Sequence, residues 1–163
     1  MEKTIYLAGG CFWGMQKFFD QFDGVLRTKV GYANGPTIHP SYEDVCSDSG
    51  HAEAIKILYD DAKITLTKLL DYYFMAVDPL SVNRQGEDSG IQYRSGIYYT
   101  SADQKKEIDS RVEQEVEKLH TPLAVEVRPL DNFYKAEEYH QKYLDKNPGG
   151  YCHIPKRLLS LGK

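Results

Sequence analysis

The pattern of apolar residues predicts an α+β protein, a two-layer, ferredoxin-like α/β sandwich with elaborations and long loops. Three observations carry that expectation. Segments with near-alternating apolar residues are interleaved with segments whose apolar residues recur every three and four positions. In chain order they read strand, helix, two strands, helix, strand, helix, strand, helix, so the core is β-α-β-β-α-β with additions. With 163 residues, 41% hydrophobic and 27% charged, the chain is large enough to bury one core. It shows no internal repeat and no linker, so residues 1–163 read as a single domain.

The first strand is expected over residues 4–8, followed by Gly9-Gly10 and a helix that carries Met15, Phe18, Phe19 and Phe22 as one apolar stripe. Trp13 falls nearly opposite that stripe. Asp23-Gly24 stops the helix, and residues 25–32 read as the second strand. Residues 33–51 are rich in turn formers; loops of that length inside compact domains are uncommon and often functional. A third strand is expected over 52–59. Thr65 can cap a helix to about residue 77, with Leu66, Leu69, Leu70, Tyr73, Phe74 and Val77 on one face. A second long loop spans 80–92 and leads into a strand over 93–99. Ser101-Ala102-Asp103-Gln104 matches a capping box for a helix to about 119. A strand over 123–127 and a short helix over 136–144 complete the set, and Asn147-Pro148-Gly149-Gly150 breaks the chain before Tyr151-Cys152.

Composition excludes several classes. Twenty basic against 24 acidic residues give a net charge of -4 without a basic block, which argues against nucleic acid as the main partner. No apolar run approaches the roughly 20 residues of a membrane span, and no basic-then-apolar leader opens these residues. The expected compartment is therefore the cytoplasm. The five histidines show no pair at metal-ligand spacing, so no metal is expected. Three cysteines, Cys11, Cys46 and Cys152, are too few and too scattered for a disulfide scaffold. In a reducing compartment a disulfide between any of them would be transient and catalytic.

Cys11 sits between a glycine pair and a helix start. A helix N-terminus offers free N–H groups and a partial positive charge, which favour thiolate. Read this way Cys11 is a nucleophile; read otherwise it is a small buried hydrophobe, as most free cysteines are. Glu53, inside a strand among small residues, could be a buried acid with a raised pKa or an ordinary solvent-facing carboxylate. His51 competes with it for an acid or base role. Cys152, beyond a glycine pair, is either a mobile thiol able to resolve a sulfenic acid or a residue without a chemical task.

Taken together the motifs resemble the A-type peptide methionine sulfoxide reductases. The resemblance runs from Ile5 to Pro155 and rests on Gly9-Gly10-Cys11-Phe12-Trp13-Gly14, Gly50-His51-Ala52-Glu53, Gln92-Tyr93-Arg94-Ser95, Glu138-Tyr139-His140-Gln141 and Asn147-Pro148-Gly149-Gly150-Tyr151-Cys152. It implies reduction of the S epimer of methionine sulfoxide, free or in proteins, with no bound cofactor. Cys11 would attack the sulfoxide sulfur and Glu53 would protonate its oxygen. Phe12 and Trp13 would hold the S-methyl group. Tyr42 and Tyr93 would hydrogen-bond the oxygen, and Asp88 would order the site. Cys152 would close a disulfide with Cys11 that thioredoxin reduces. Many relatives carry a second C-terminal cysteine as a relay; Cys152 is the last cysteine here, so reduction would act on the Cys11–Cys152 bond itself. The resemblance implies a monomer that meets oxidised proteins and thioredoxin, without nucleic acid or membrane.

Two other readings share some of these residues. A thiol peroxidase would use Cys11 and Cys152 but has no need of an apolar methyl pocket, which Phe12-Trp13 would supply. A non-enzymatic module would leave all three cysteines incidental.

Overall fold

The computed structural model describes residues 1–47 and 49–162. It is a mixed α+β protein built on a six-stranded, mostly antiparallel sheet. Strand β1 (Glu2–Ala8) is central; it pairs antiparallel with β3 (Ala52–Asp60) on one side and with β6 (Gly96–Tyr99) on the other. Strand β2 (Val25–Ala33) lies outside β3, and β7 (Glu126–Pro129) runs parallel to β6 at one edge. The order is β7-β6-β1-β3-β2-β8, where β8 (Phe133–Lys135) forms the other edge. A second, two-stranded piece pairs β4 (Arg84–Gln85) with β5 (Asp88–Ser89) inside the loop expected at 80–92.

Alternation sorts the strands into two faces. Ile5, Leu7, Ile55, Ile57, Tyr59 and Ile97 share one core with the helices. Helix α1 (Phe12–Asp20) contributes the expected Met15, Phe18 and Phe19, with Phe22 just beyond its end. Helix α3 (Leu66–Ala76) adds Leu69, Leu70 and Tyr73, and α4 (Ala102–Leu119) adds Ile108. Truncating a fully buried phenylalanine such as Phe18 to alanine typically costs roughly 3–5 kcal/mol. The other face is small where it meets the site, with Ala8, Ala33, Ala52 and Ala54 under Tyr6, Leu130 and Phe133. Farther along it Thr4, Arg27, Lys29, Lys56 and Leu58 line a separate cavity of about 120 Å³.

Side-chain caps fix the helix starts. Thr65 accepts from Lys68 N at 3.1 Å. Ser101 accepts from Gln104 N at 3.2 Å, but the Gln104 side chain takes the N–H of Thr100 rather than that of Ser101. The expected box is thus half formed and displaced by one residue. Arg111 joins Asp71 of α3 at 2.6 Å and Glu115 at 2.8 Å, tying α3 to α4.

Several boundaries differ from those expected. The 33–51 loop contains a short helix, α2 (Tyr42–Cys46), held by a complete capping box between Ser41 and Asp44. The strand expected at 93–99 begins only at Gly96, because residues 91–93 turn as 3-10 helix. The strand expected at 123–127 is shifted to Glu126–Pro129. The helix expected over 136–144 is replaced by a 3-10 turn at Glu138–His140 and a separate α5 (Tyr143–Lys146). There the Gln141 side chain accepts from Val30 N and donates to Val30 O, and Lys142 sits at φ 56°, so the chain is held open instead of coiling.

Register explains where the site lies. Ala8 at the end of β1 pairs with Ala54 near the start of β3 and with Gly96 at the start of β6. Residues that leave β1, enter β3 or approach β6 therefore meet at one end of the sheet. Those are Cys11, Glu53 and Tyr93.

Candidate active site

Cys11 is the N-cap of α1, with extended φ and ψ (-62°, 126°), and follows Gly10 at φ 81°. That left-handed turn is open to glycine, and it lets Gly10 N donate to Tyr93 O at 3.3 Å. A Cβ on Gly10 would lie 2.7 Å from Gln85 Cβ, so the turn also needs the missing side chain. The thiol is 7% exposed. The expected lowering by the helix start does not win in the resting site. Burial pushes the Cys11 thiol well up, the charge of Glu53 adds to this, and the Trp13 backbone N–H opposes them.

Glu53 is 1% exposed and faces the first turn of α1, where its Oε1 accepts from Phe12 N at 3.2 Å. Its Oε2 is buried with no hydrogen-bond partner among the described residues. A carboxylate at a helix start would ordinarily be kept ionised. Here burial dominates and raises its pKa to about 8, with the Phe12 N–H opposing and Asp88 adding. At neutral pH Glu53 therefore carries a proton directly beside Cys11. His51 is also buried, but its partners are Ser49 Oγ at 2.9 Å from Nδ1 and the ring of Tyr134.

An aromatic cluster forms one side of the site. Trp13 stacks on Tyr143 with ring centroids 3.7 Å apart, and its Nε1–H donates to His140 Nδ1 at 2.9 Å. That bond puts the neutral His140 proton on Nε2, which is buried without a partner among the described residues. The His140 ring also meets Phe12 at 5.2 Å and Tyr42 at 4.6 Å. Glu137 holds the cluster from behind, accepting from Tyr32 Oη at 2.7 Å and from Tyr42 N at 3.0 Å. Although burial opposes it, these two donors keep the Glu137 carboxyl below its ordinary value. Cys46, one helical turn after Tyr42, is exposed and lies beside the Tyr42 hydroxyl.

Tyr93 and Asp88 also stand at the site. Burial pushes the Tyr93 hydroxyl up, followed by the negative groups Glu53, Asp88 and Cys11. Asp88 is raised by burial and drawn back by the Tyr151 hydroxyl and the Cys11 backbone N–H that it faces. The C-terminal segment is thereby seated against the site. Cys152 is half-buried, and a Cβ on Gly14 would lie 2.9 Å from its Sγ. Of the mobile thiol expected beyond Gly149-Gly150, the structure shows the resting position: Cys152 lies against the first turn of the Cys11 helix. It also lines a groove of about 210 Å³ with Lys17, Pro148 and Lys156. Gly14→Ala should improve helix propensity by about 1 kcal/mol yet unseat Cys152. We expect its reactivity toward a thiol reagent to rise several-fold in the reduced protein; an unchanged rate would mean the segment absorbs the methyl group without moving.

All three cysteines are free thiols, and among the described residues no cluster of His, Cys, Asp or Glu could hold a metal ion. No helix among the described residues is long and apolar enough to cross a membrane.

The family model for peptide methionine sulfoxide reductase matches residues 3–160. The chain belongs to the peptide methionine sulfoxide reductase family. It is 59% identical over 158 residues to the peptide methionine sulfoxide reductase MsrA of Clostridium acetobutylicum, covering 96% of this chain and 98% of that one. Among solved structures it is similar to Mxr1 from Saccharomyces cerevisiae in reduced form, with TM-score 0.90 and 41% identity over 94% of this chain and 91% of that one. Mxr1 in complex with Trx2 matches at TM-score 0.63 and 32% identity, covering 87% and 84%. The protein is thus a methionine sulfoxide reductase, an oxidoreductase.

Within this reductase the eight residues singled out from the sequence converge on one end of the sheet. Reasoning from sequence overlooked His140, Tyr143, Glu137 and Tyr151 as members of the site. Two of them stand in motifs already noted, Glu138-Tyr139-His140-Gln141 and the segment ending Tyr151-Cys152, so the signal was present without a role attached. Tyr143 and Glu137 flank the first of these and gave no local sign of their partners.

Proposed function

We propose that the reduction of methionine sulfoxide is carried out here by Cys11 as nucleophile and Glu53 as acid, with Cys152 as the resolving thiol. The observation that carries this reading is the carboxyl of Glu53, buried against the N–H that follows Cys11 with one oxygen unpartnered, a setting that favours its protonated form. Cys11 sulfur attacks the sulfoxide sulfur while Glu53 protonates the sulfoxide oxygen, and the Cys11 thiol proton replaces the one that Glu53 gives up. Oxygen passes to Cys11 as a sulfenic acid, and the thioether leaves as methionine. The Cys152 thiol then displaces that oxygen as water and forms the Cys11–Cys152 disulfide. Oxidation of methionine to its sulfoxide is reversible, with a separate reductase for each sulfoxide epimer.

Phe12 and Trp13 suit an S-methyl group, since their ring faces are apolar and fixed by stacking and by the His140 bond. Tyr42 and Tyr93 are hydroxyl donors for the sulfoxide oxygen. Asp88 is a positioning residue that aligns Tyr151 and the Cys11 turn. We assign the S epimer, free or in proteins, as substrate and a thioredoxin as the external reductant, supported by the relative solved with Trx2. No bound cofactor or metal is required by this chemistry. The order β6-β1-β3-β2 at the centre of the sheet supports a ferredoxin-like reading of one domain; we assign it to the cytoplasm as a monomer.

The test is to incubate the reduced protein, without thioredoxin, with each epimer of a blocked methionine sulfoxide and with peroxide. One methionine per chain from the S epimer, none from the R epimer, and a Cys11–Cys152 disulfide located by mass spectrometry are expected. Turnover of peroxide but of neither epimer would replace this reading with a thiol peroxidase.

A further inference from the structure

His153 follows the proposed resolving cysteine and has no part in the reaction as described. Its ring lies against the backbone on both sides of Cys11. Nε2 is 2.9 Å from the Cβ position of Gly10, and Nδ1 is 3.4 Å from that of Gly14. Cys152 Sγ lies 2.9 Å from the same Gly14 position. Both ring nitrogens are buried, and neither has a hydrogen-bond partner of good geometry among the described residues. Buried polar atoms are normally paired, and one left open calls for a reason. An apolar ring would fill the same gap without desolvating two nitrogens.

From this cluster we propose that His153 is the base for disulfide closure, taking the Cys152 thiol proton as that sulfur attacks the Cys11 sulfenic acid. The proposal rests on the roles given above to Cys11 and Cys152. The Cys152 S–H bond breaks and the S–S bond to Cys11 forms as the Cys11 S–O bond breaks. The proton on His153 passes to the departing oxygen, which leaves as water. Cys152 sulfur is oxidised and Cys11 sulfur is reduced from the sulfenic level, so no other oxidant takes part.

The surroundings explain why a base is needed and why His153 can be one. Burial raises the Cys152 thiol, its hydrogen bond at Ile154, where the sulfur donates to the carbonyl oxygen at 3.5 Å, opposes this, and the charge of Asp88 adds to it. Little thiolate is therefore present at neutral pH. Burial holds the His153 imidazole down at about 4, with the Gly9 carbonyl opposing, so the ring is neutral and can accept a proton. Nδ1 and the Cys152 sulfur face the same Gly14 position, so the thiol, which donates to Ile154 O at 3.5 Å in the resting site, has to turn only toward its neighbour's ring to give up its proton. The other groups at this point are Cys11 on α1, Gln85 on β4, Asp88 on β5, and Tyr151. Gln85 is uncharged, and Asp88 faces the Tyr151 hydroxyl and the Cys11 N–H, with its Oδ2 also buried without a partner among the described residues.

The reduced full chain and its His153→Gln and His153→Asn variants would be mixed with one equivalent of blocked methionine-S-sulfoxide and quenched with dimedone. Methionine release and the Cys11–Cys152 disulfide are followed separately. Loss of a general base removes about 10²–10⁴-fold, so the ratio of closure to release should fall at least about 100-fold, with dimedone-trapped Cys11 accumulating. A wild-type ratio in either variant would overturn the proposal. A second measurement needs only the wild type: closure should be level between pH 6 and 8, whereas a rise in proportion to hydroxide would show preformed thiolate and no base. If wild type releases methionine but forms no Cys11–Cys152 bond, the resolving role of Cys152 fails, and this inference fails with it.

Discussion

Glu53→Gln should slow the sulfoxide-reducing step by about 10²–10⁴-fold, the usual contribution of a positioned acid, and at the same time make the protein more stable above neutral pH. Both effects have one cause. Burial raises the Glu53 carboxyl from an ordinary 4.5 to about 8. An acid that holds its proton longer when folded favours folding in its protonated form. As pH rises from about 4.5 the unfolded chain ionises first, and stability falls until about pH 8, where the folded carboxyl also ionises. Glutamine keeps the shape and has no charge to bury. The gain should be near zero at pH 4.5 and approach about 4–5 kcal/mol by pH 8.5, or on the order of 10–20 °C in Tm for a chain of this size. Melting curves of both proteins at the two pH values test this; an equal difference at both would remove the buried proton from the explanation. Kinetically, single-turnover methionine release by the wild type should decline as pH passes about 8, because the acid is then ionised. In the variant it should be slow and lack that limb. A wild-type rate level to pH 9.5 would rule Glu53 out as the acid.

How much of this could be read from the chain depends on whether the determining contacts are local. The stripe Met15, Phe18, Phe19 and Phe22 and the alternation of Ile5, Leu7, Ile55 and Ile57 are local, and all of them are in the core. Helix α2 was not foreseen because five residues in a stretch rich in Gly, Pro and Ser carry little periodicity. Its Ser41–Asp44 box was the one available sign. Strand β8 has three residues and exists through its pairing with β2. The acid could be weighed only weakly from its strand; its environment arises because β3 begins where β1 ends, a fact of register. The Cys11 thiol was expected to be lowered by the helix start, yet burial and Glu53 outweigh the single Trp13 N–H. Gly149-Gly150 suggested a mobile Cys152, whereas its seat is made by the absence of a side chain at Gly14, 138 residues earlier in the chain.

A second large effect on turnover should come from Cys152→Ser. The variant keeps Cys11, Glu53 and the aromatic cluster, so one methionine per chain is still released with the S epimer, and the rate of that first event should change little. Recycling is different. In the wild type the second thiol is part of the same chain and already lies against the first turn of the Cys11 helix, so it acts at an effective concentration in the millimolar range or above. Serine cannot form the disulfide, and the sulfenic acid must then wait for an external thiol at micromolar concentration. Steady-state turnover with thioredoxin should fall by at least about 100-fold on that ratio, with Cys11 recovered as the sulfenic acid or its over-oxidised forms. Full turnover in the variant would mean that another route resolves Cys11. Cys46 is the remaining candidate in the chain, exposed beside Tyr42. Adding Cys46→Ser to Cys152→Ser separates the possibilities: loss of the residual turnover assigns it to Cys46, and its persistence assigns it to direct attack by the external thiol.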